Sequence, residues 1–154
     1  MSESETSVVG SKTNRPIKTS DRFMLIIGAA VIFTLFAAAA MLKPDSKGWG
    51  THRQLGLPPC SFMFFCGVPC PTCGFTTTWS HLMNGDVPSA IRTNFAAVLL
   101  WLLAAASGSW MLISGCLGRW FLLLPSVYMW AAIVAPIIIV TFVIWISRIF
   151  VVPN

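Results

Sequence analysis

Three long uncharged and strongly apolar stretches, residues 23–42, 95–118 and 120–147, alternate with shorter polar segments along the chain. Each is long enough for a helix to cross a hydrocarbon core, which takes roughly 20 residues. Backbone groups in lipid have to be satisfied within their own segment, so helices are the form such stretches take. Spans are expected at about residues 23–42, 95–117 and 126–150. Lys12, Arg15, Lys18 and Arg22 precede the first stretch and small residues 37–40 close it, as in a secretory signal. A cleaved signal, however, has an apolar region of only about 7–15 residues, and the longer run predicts an uncleaved signal anchor.

The polar positions set the remaining organisation. Residues 1–22 are poor in apolar side chains and read as a disordered cytoplasmic tail. Residues 23–154 form a single helical membrane domain. Pro and Gly at 44, 48 and 50 mark an exposed loop. Residues 60–69 are apolar but too short to span, and prolines at 58, 59, 69 and 71 bracket them, which predicts a re-entrant or interfacial segment. A motif helix is expected over about 71–83, with Cys70 as its cap and Pro71 at its first position. On that helix Cys73, Thr76, Thr77, Ser80 and Asn84 share one side, opposite Phe75, Trp79 and Leu82. Asn84 and Gly85 stop it, and Asp86 caps a further helix that runs from Val87 through Asn94 into the second span. Gly118 and Arg119 make a tight connection, Pro125 and Ser126 restart the chain into the third span, and Pro136 is expected to kink it. Trp120, Tyr128 and Trp130 suit a membrane interface, and Arg148 is placed to snorkel at the far end.

Composition confirms the class: 56% of the 154 residues are hydrophobic and 10% charged, which excludes an ordinary soluble domain. The net charge of +5 is spread over tail, loops and helix ends. Scattered basic residues orient spans, so nucleic acid is not an expected partner and the lipid bilayer is. Three spans place Lys12, Arg15, Lys18, Arg22 and Arg119 on one face and Lys43, Lys47, Arg53, Arg92 and Arg148 on the other, an even division that leaves orientation open. A fourth, broken crossing by residues 60–83 would change the division to six against four, a slight preference only, but the bracketing prolines and the polar stripe favour three full spans plus a partly inserted motif helix. Ala104, Gly108 and Gly115 form a small-residue stripe that serves either packing within the chain or a membrane-protein partner.

Candidate chemistry is confined to the cysteines. Cys60, Cys66, Cys70 and Cys73 lie close together in sequence, and four readings stay open for them. A helix N-terminus at Cys70 would lower its pKa, making Cys70 and Cys73 a redox pair. Four thiolates, with His52 or His81 as substitutes, could hold zinc, although the second close pair of a usual zinc site is absent. A structural disulfide could join Cys70 to Cys73 or Cys60 to Cys66. The cysteines could also simply pack, as Cys116 is expected to do. Thr76, Thr77 and Ser80 could line a pocket or bond to a neighbouring turn, and an Asp86 to Arg92 contact is conceivable. No catalytic triad, carboxylate pair or phosphate loop accompanies them.

The run Cys70-Pro71-Thr72-Cys73-Gly74-Phe75-Thr76, followed by Gly85-Asp86, Ala90 and Asn94 before a span, resembles the bacterial domain of unknown function family 2752 over about residues 50–117. The resemblance implies a small integral membrane protein and no particular activity. Thr77 and Phe95 depart from the family pattern, where Arg and Pro are frequent. The expectation is therefore an all-α, multi-pass cell-membrane protein with three transmembrane helices and a short motif helix. It would serve as an accessory or structural component and not as a free-standing enzyme, with a thiol-redox or zinc-binding role at Cys70 and Cys73 as the alternative.

Overall fold

The structure, a computed structural model, describes residues 16–121 and 126–151. Its elements in order are α1 (Thr19–Met41), a 3-10 turn (Thr51–Leu55), α2 (Ser61–Cys66), α3 (Phe75–Met83), α4 (Val87–Thr93), α5 (Phe95–Leu117) and α6 (Val127–Val151). The expected all-α class is what the chain forms. Among the described residues three helices, α1, α5 and α6, are long and apolar enough to cross a membrane. Most of the tail, residues 1–15, and Pro125 of the expected restart lie outside the described residues. The chain divides into two compact units, Met1–Thr34 with Leu103–Trp130, and Leu35–Leu102 with Ala131–Asn154.

In the first unit α1 begins at Thr19, four residues before the apolar stretch, so the end of the expected tail is helical. Asp21 in its first turn favours that start through the helix dipole. Arg22 then reaches the last turn of α5, where Nε donates to the Gly115 carbonyl at 3.0 Å and a terminal nitrogen to that of Cys116 at 3.5 Å. A cation there satisfies carbonyls that the helix leaves without partners. The small-residue stripe faces α1: a Cβ on Gly108 would lie 3.1 Å from Ile32, and one on Gly115 2.8 Å from Ile26. Gly28 answers from α1, where Met111 fills the space a Cβ would need. Close approach through missing side chains is how helices attract one another in lipid, so the stripe serves packing within the chain. The pairs 22 with 115 and 32 with 108 run in opposite senses, which makes α1 and α5 antiparallel here.

The connection after α5 turns on Gly118, at φ +65°, and Ile17 N–H donates to its carbonyl at 3.0 Å. Trp110 stacks on Trp120 with centroids 5.8 Å apart and donates to the Phe121 carbonyl. Ser126 caps α6 by accepting from Met129 N–H at 3.1 Å. Cys116, expected to pack, is exposed on the surface of α5.

In the second unit Phe36 stacks on Trp101 and meets Trp79 edge-on, both with centroids 5.4 Å apart. Trp79 Nε1 also donates to the Ala97 carbonyl, which ties α3 to α5. Ala90, Ala96 and Ala97 are fully buried, since only small residues admit the short helices this close. The expected continuous helix from Val87 into the span is interrupted, because Asn94 is extended (φ −162°, ψ 103°) and α5 starts afresh at Phe95. Asp86 caps α4 as expected, accepting from Ser89 N–H at 3.1 Å, but the side chain that meets it at 3.2 Å is the His81 ring and not Arg92. Residues 60–69 form only the six-residue α2, closed by Gly67 at φ +69° and far too short to cross. Trp145 of α6 holds this segment, donating to the Pro69 carbonyl at 2.7 Å and meeting Phe62 edge-on.

α6 contains Pro136 and exposes Ile139, Phe142, Val143 and Phe150, and α1 exposes Phe23, Ile27 and Val31. Such surface is unfavourable in water and suits lipid acyl chains, in keeping with a multi-pass membrane protein.

Candidate thiolate site

The cysteine motif folds as a turn and not as the start of a helix. Cys73 N–H donates to the Cys70 carbonyl at 3.0 Å and Phe75 N–H to that of Thr72 at 3.1 Å. Pro71 supplies the fixed φ that suits the second position of such a turn. Gly74 follows at φ +92°, a left-handed conformation that a right-handed helix cannot pass through. The motif helix therefore begins at Phe75 with Gly74 as its cap, and the expectation of a helix from residue 71 capped by Cys70 is corrected. Glycine is required there for a second reason, since a Cβ would lie 2.9 Å from the Gly48 carbonyl oxygen.

Buried polar groups hold the turn in place. Asn94, 2% exposed, donates from Nδ2 to the Cys73 carbonyl and accepts from Ala97 N–H, both at 3.3 Å. It thereby caps α5 and fixes the turn with one side chain. Arg148 donates to the same Cys73 carbonyl at 3.3 Å and to the Thr93 carbonyl. Thr77 shares a 2.8 Å hydrogen bond with Thr51, whose oxygen also accepts from Asp45 N–H. Ser80 donates to the Leu42 carbonyl at 2.5 Å. The Thr- and Ser-rich side of α3 thus bonds inward, with Thr76 left lining a cavity beside the thiols.

Three of the four clustered cysteines meet. The sulfurs of Cys60, Cys70 and Cys73 all lie within 4.8 Å of one another, close enough to hold a metal ion. Cys70 Sγ is 3.3 Å from Cys73 Sγ and 3.4 Å from Thr72 Oγ1. Cys66, at the other end of α2, is exposed and outside this group. A four-sulfur site is therefore reduced to three, because α2 carries its two cysteines at opposite ends. His52 lines the same cavity of about 300 Å³, with Nε2 3.3 Å from the Pro58 carbonyl. His81 is engaged with Asp86 instead.

Two of the thiols, Cys60 and Cys73, are shifted in opposite directions. Burial and the neighbouring thiols of Cys70 and Cys60 push Cys73 up to about 12. Burial also acts to raise Cys60, but the Met63 backbone N–H one turn on and the thiols of Cys73 and Cys70 outweigh it and bring Cys60 down to about 7. Cys60, which precedes α2, is therefore an acidic thiol that the sequence reading did not single out. Hydrogen bonding by Ser89, together with the His81 ring, holds the Asp86 carboxyl below the usual carboxylate range. One consequence is measurable in metal-free protein. Iodoacetamide at pH 7 should label Cys60 ahead of Cys73, with Cys60 labelling rising through pH 7 and lost as the pH falls below it, because thiolate is the reacting form. Peptide mass spectrometry over a pH series reads this order directly, and equal rates at all three cysteines would contradict the assignment.

Thr51 was not singled out by motif reasoning, and Arg148, expected to snorkel, instead donates to the carbonyls of Cys73 and Thr93. A lone cation near the end of an apolar span was the available signal for Arg148, since such residues rarely lack partners. Thr51 carried none, as nothing local links it to a residue 26 positions away.

Neither the curated proteins nor the solved structures include a match to this chain. A family match does exist, and it covers Cys60, the cysteine turn, α3, α4 and α5 as far as Gly108, while Thr51, His52 and Arg148 fall outside it. The family resemblance is thus shown over residues 60–108, which match the family described as protein of unknown function (DUF2752).

Proposed function

We propose that this chain is a small accessory membrane protein whose cysteine turn binds a thiophilic divalent ion, zinc in the first instance, through Cys60, Cys70 and Cys73. The observation that carries the reading is the convergence of three sulfurs from two separate segments within 4.8 Å. Tetrahedral zinc with bonds of about 2.3 Å needs sulfurs about 3.8 Å apart, so side-chain rotations of well under 1 Å each would complete the ligand set. All three cysteines line the cavity that His52 also lines, so water or that imidazole would fill the fourth position. Metal binding also deprotonates its ligands, which overcomes the raised pKa of Cys73 and makes affinity fall steeply in acid.

A second reading, thiol redox chemistry, rests on the 3.3 Å approach of Cys70 and Cys73 sulfurs. One experiment separates the two: elemental analysis of protein purified in detergent, combined with alkylation mass spectrometry with and without reductant. About one equivalent of zinc, lost in both Cys60→Ser and Cys73→Ser, is the expected result. Metal-free protein with Cys70 and Cys73 joined in a reducible bond would favour the redox reading. Free, slowly alkylating cysteines without metal would remove both.

A further inference from the structure

A second cavity, of about 870 Å³, adjoins the cysteine turn at Cys73 and is lined by three cations, Lys47, Arg92 and Arg148. Asp45 is the one carboxylate in the lining, and its Oδ1 is already turned back to accept from Lys47 N–H at 2.9 Å. Arg148 is partly buried, and its partners are two neutral carbonyls. No carboxylate pairs with it among the described residues. A partly desolvated guanidinium without an opposing charge is costly, and its remaining N–H groups are suited to a planar or tetrahedral oxyanion. Met63 and Val68 add an apolar wall to the same cavity.

From this arrangement we propose that the cavity binds an anionic phosphate group, with Arg148 as the fixed anchor and Lys47 and Arg92 as exposed arms that close on it. Basic pockets beside transmembrane helices are a recurrent means of holding anionic headgroups, and the apolar wall favours a phosphate that carries an acyl chain. The cavity meets the proposed metal site at Cys73, which lines both cavities, whereas Cys60 and Cys70 line only the smaller one.

The test uses the full-length protein in a neutral maltoside detergent and follows thermal unfolding. Three additions are titrated: a short-chain phosphatidylglycerol, the matching phosphatidylcholine, and inorganic phosphate. Saturable stabilisation by phosphatidylglycerol, not by phosphatidylcholine or phosphate, is the expected result and identifies a lipid headgroup. Equal stabilisation by inorganic phosphate supports the same site with a soluble ligand. In either case Arg92→Gln and Lys47→Gln should each weaken the midpoint concentration by about tenfold, the effect of losing one charged hydrogen bond. Both positions are exposed and can change without disturbing the fold, which Arg148→Gln would not guarantee. Absence of stabilisation by either anion, equal stabilisation by phosphatidylcholine, or unchanged midpoints in both variants would overturn the proposal.

Discussion

Gly74→Ala is expected to destabilise the protein by about 2–5 kcal/mol, summing the roughly 1–2 kcal/mol that an L-residue loses in the left-handed region and the roughly 1–3 kcal/mol of overpacking. The overpacking arises because the new Cβ would press on the Gly48 carbonyl oxygen at 2.9 Å, and that oxygen belongs to backbone that cannot rotate away. Gly85→Ala supplies the control. Its φ of +81° is similar, but nothing lies within 4 Å of its Cβ, so only the conformational cost applies. Unfolding in mixed micelles, measured for both variants, should show Gly74→Ala as clearly the worse. Equal effects would mean that the contact between residues 48 and 74 is not maintained. Because residue 74 follows directly on Cys73, the same substitution should also reduce bound zinc at a given free concentration.

Asn94→Ala is the second large expected loss, of about 2–4 kcal/mol. A missing N-cap contributes roughly 1 kcal/mol, and a lost buried hydrogen bond with the vacated space contributes roughly another 1–3 kcal/mol. Asn94→Asp divides these effects. Its carboxylate keeps the acceptor for Ala97 N–H, but it replaces the Nδ2 donor with oxygen facing the Cys73 carbonyl. If the bond to Cys73 matters to the site, Asn94→Asp should retain the helical content of α5 by circular dichroism and still alter the labelling order of the cysteines. An alanine variant as stable as the parent would show that the break between α4 and α5 is held by other contacts.

The parts of the fold that were legible in sequence are those governed by local physics. Long apolar stretches gave α1, α5 and α6 nearly to their ends, since span length is dictated by the bilayer. The stop at Gly85 and the cap at Asp86 were legible because each depends on neighbours within three or four residues. The start of α3 was not. Proline at 71 is equally at home in a helix's first position and in a tight turn, and the choice is made at Gly74, which is left-handed and beside which a carbonyl from residue 48 leaves no room for a side chain. The break at Asn94 escaped for the same reason, because its side chain is recruited by a carbonyl 21 residues earlier. For the candidate site, clustering of Cys60, Cys70 and Cys73 was legible, whereas the exclusion of Cys66 follows from a six-residue helix whose two ends carry the two cysteines.

The opposed direction of α1 and α5 reaches further than packing. Two consecutive spans that run in opposite senses require the 42–94 segment between them to leave and return through the same face, whereas an extra crossing by residues 60–83 would have made them parallel. With both helices crossing the bilayer, every thiol of the turn would be committed to a single compartment. The metal supply, the thiol-disulfide poise and the leaflet chemistry that the site meets all belong to that compartment, and the basic residues that flank the spans on each side have only to choose which one it is.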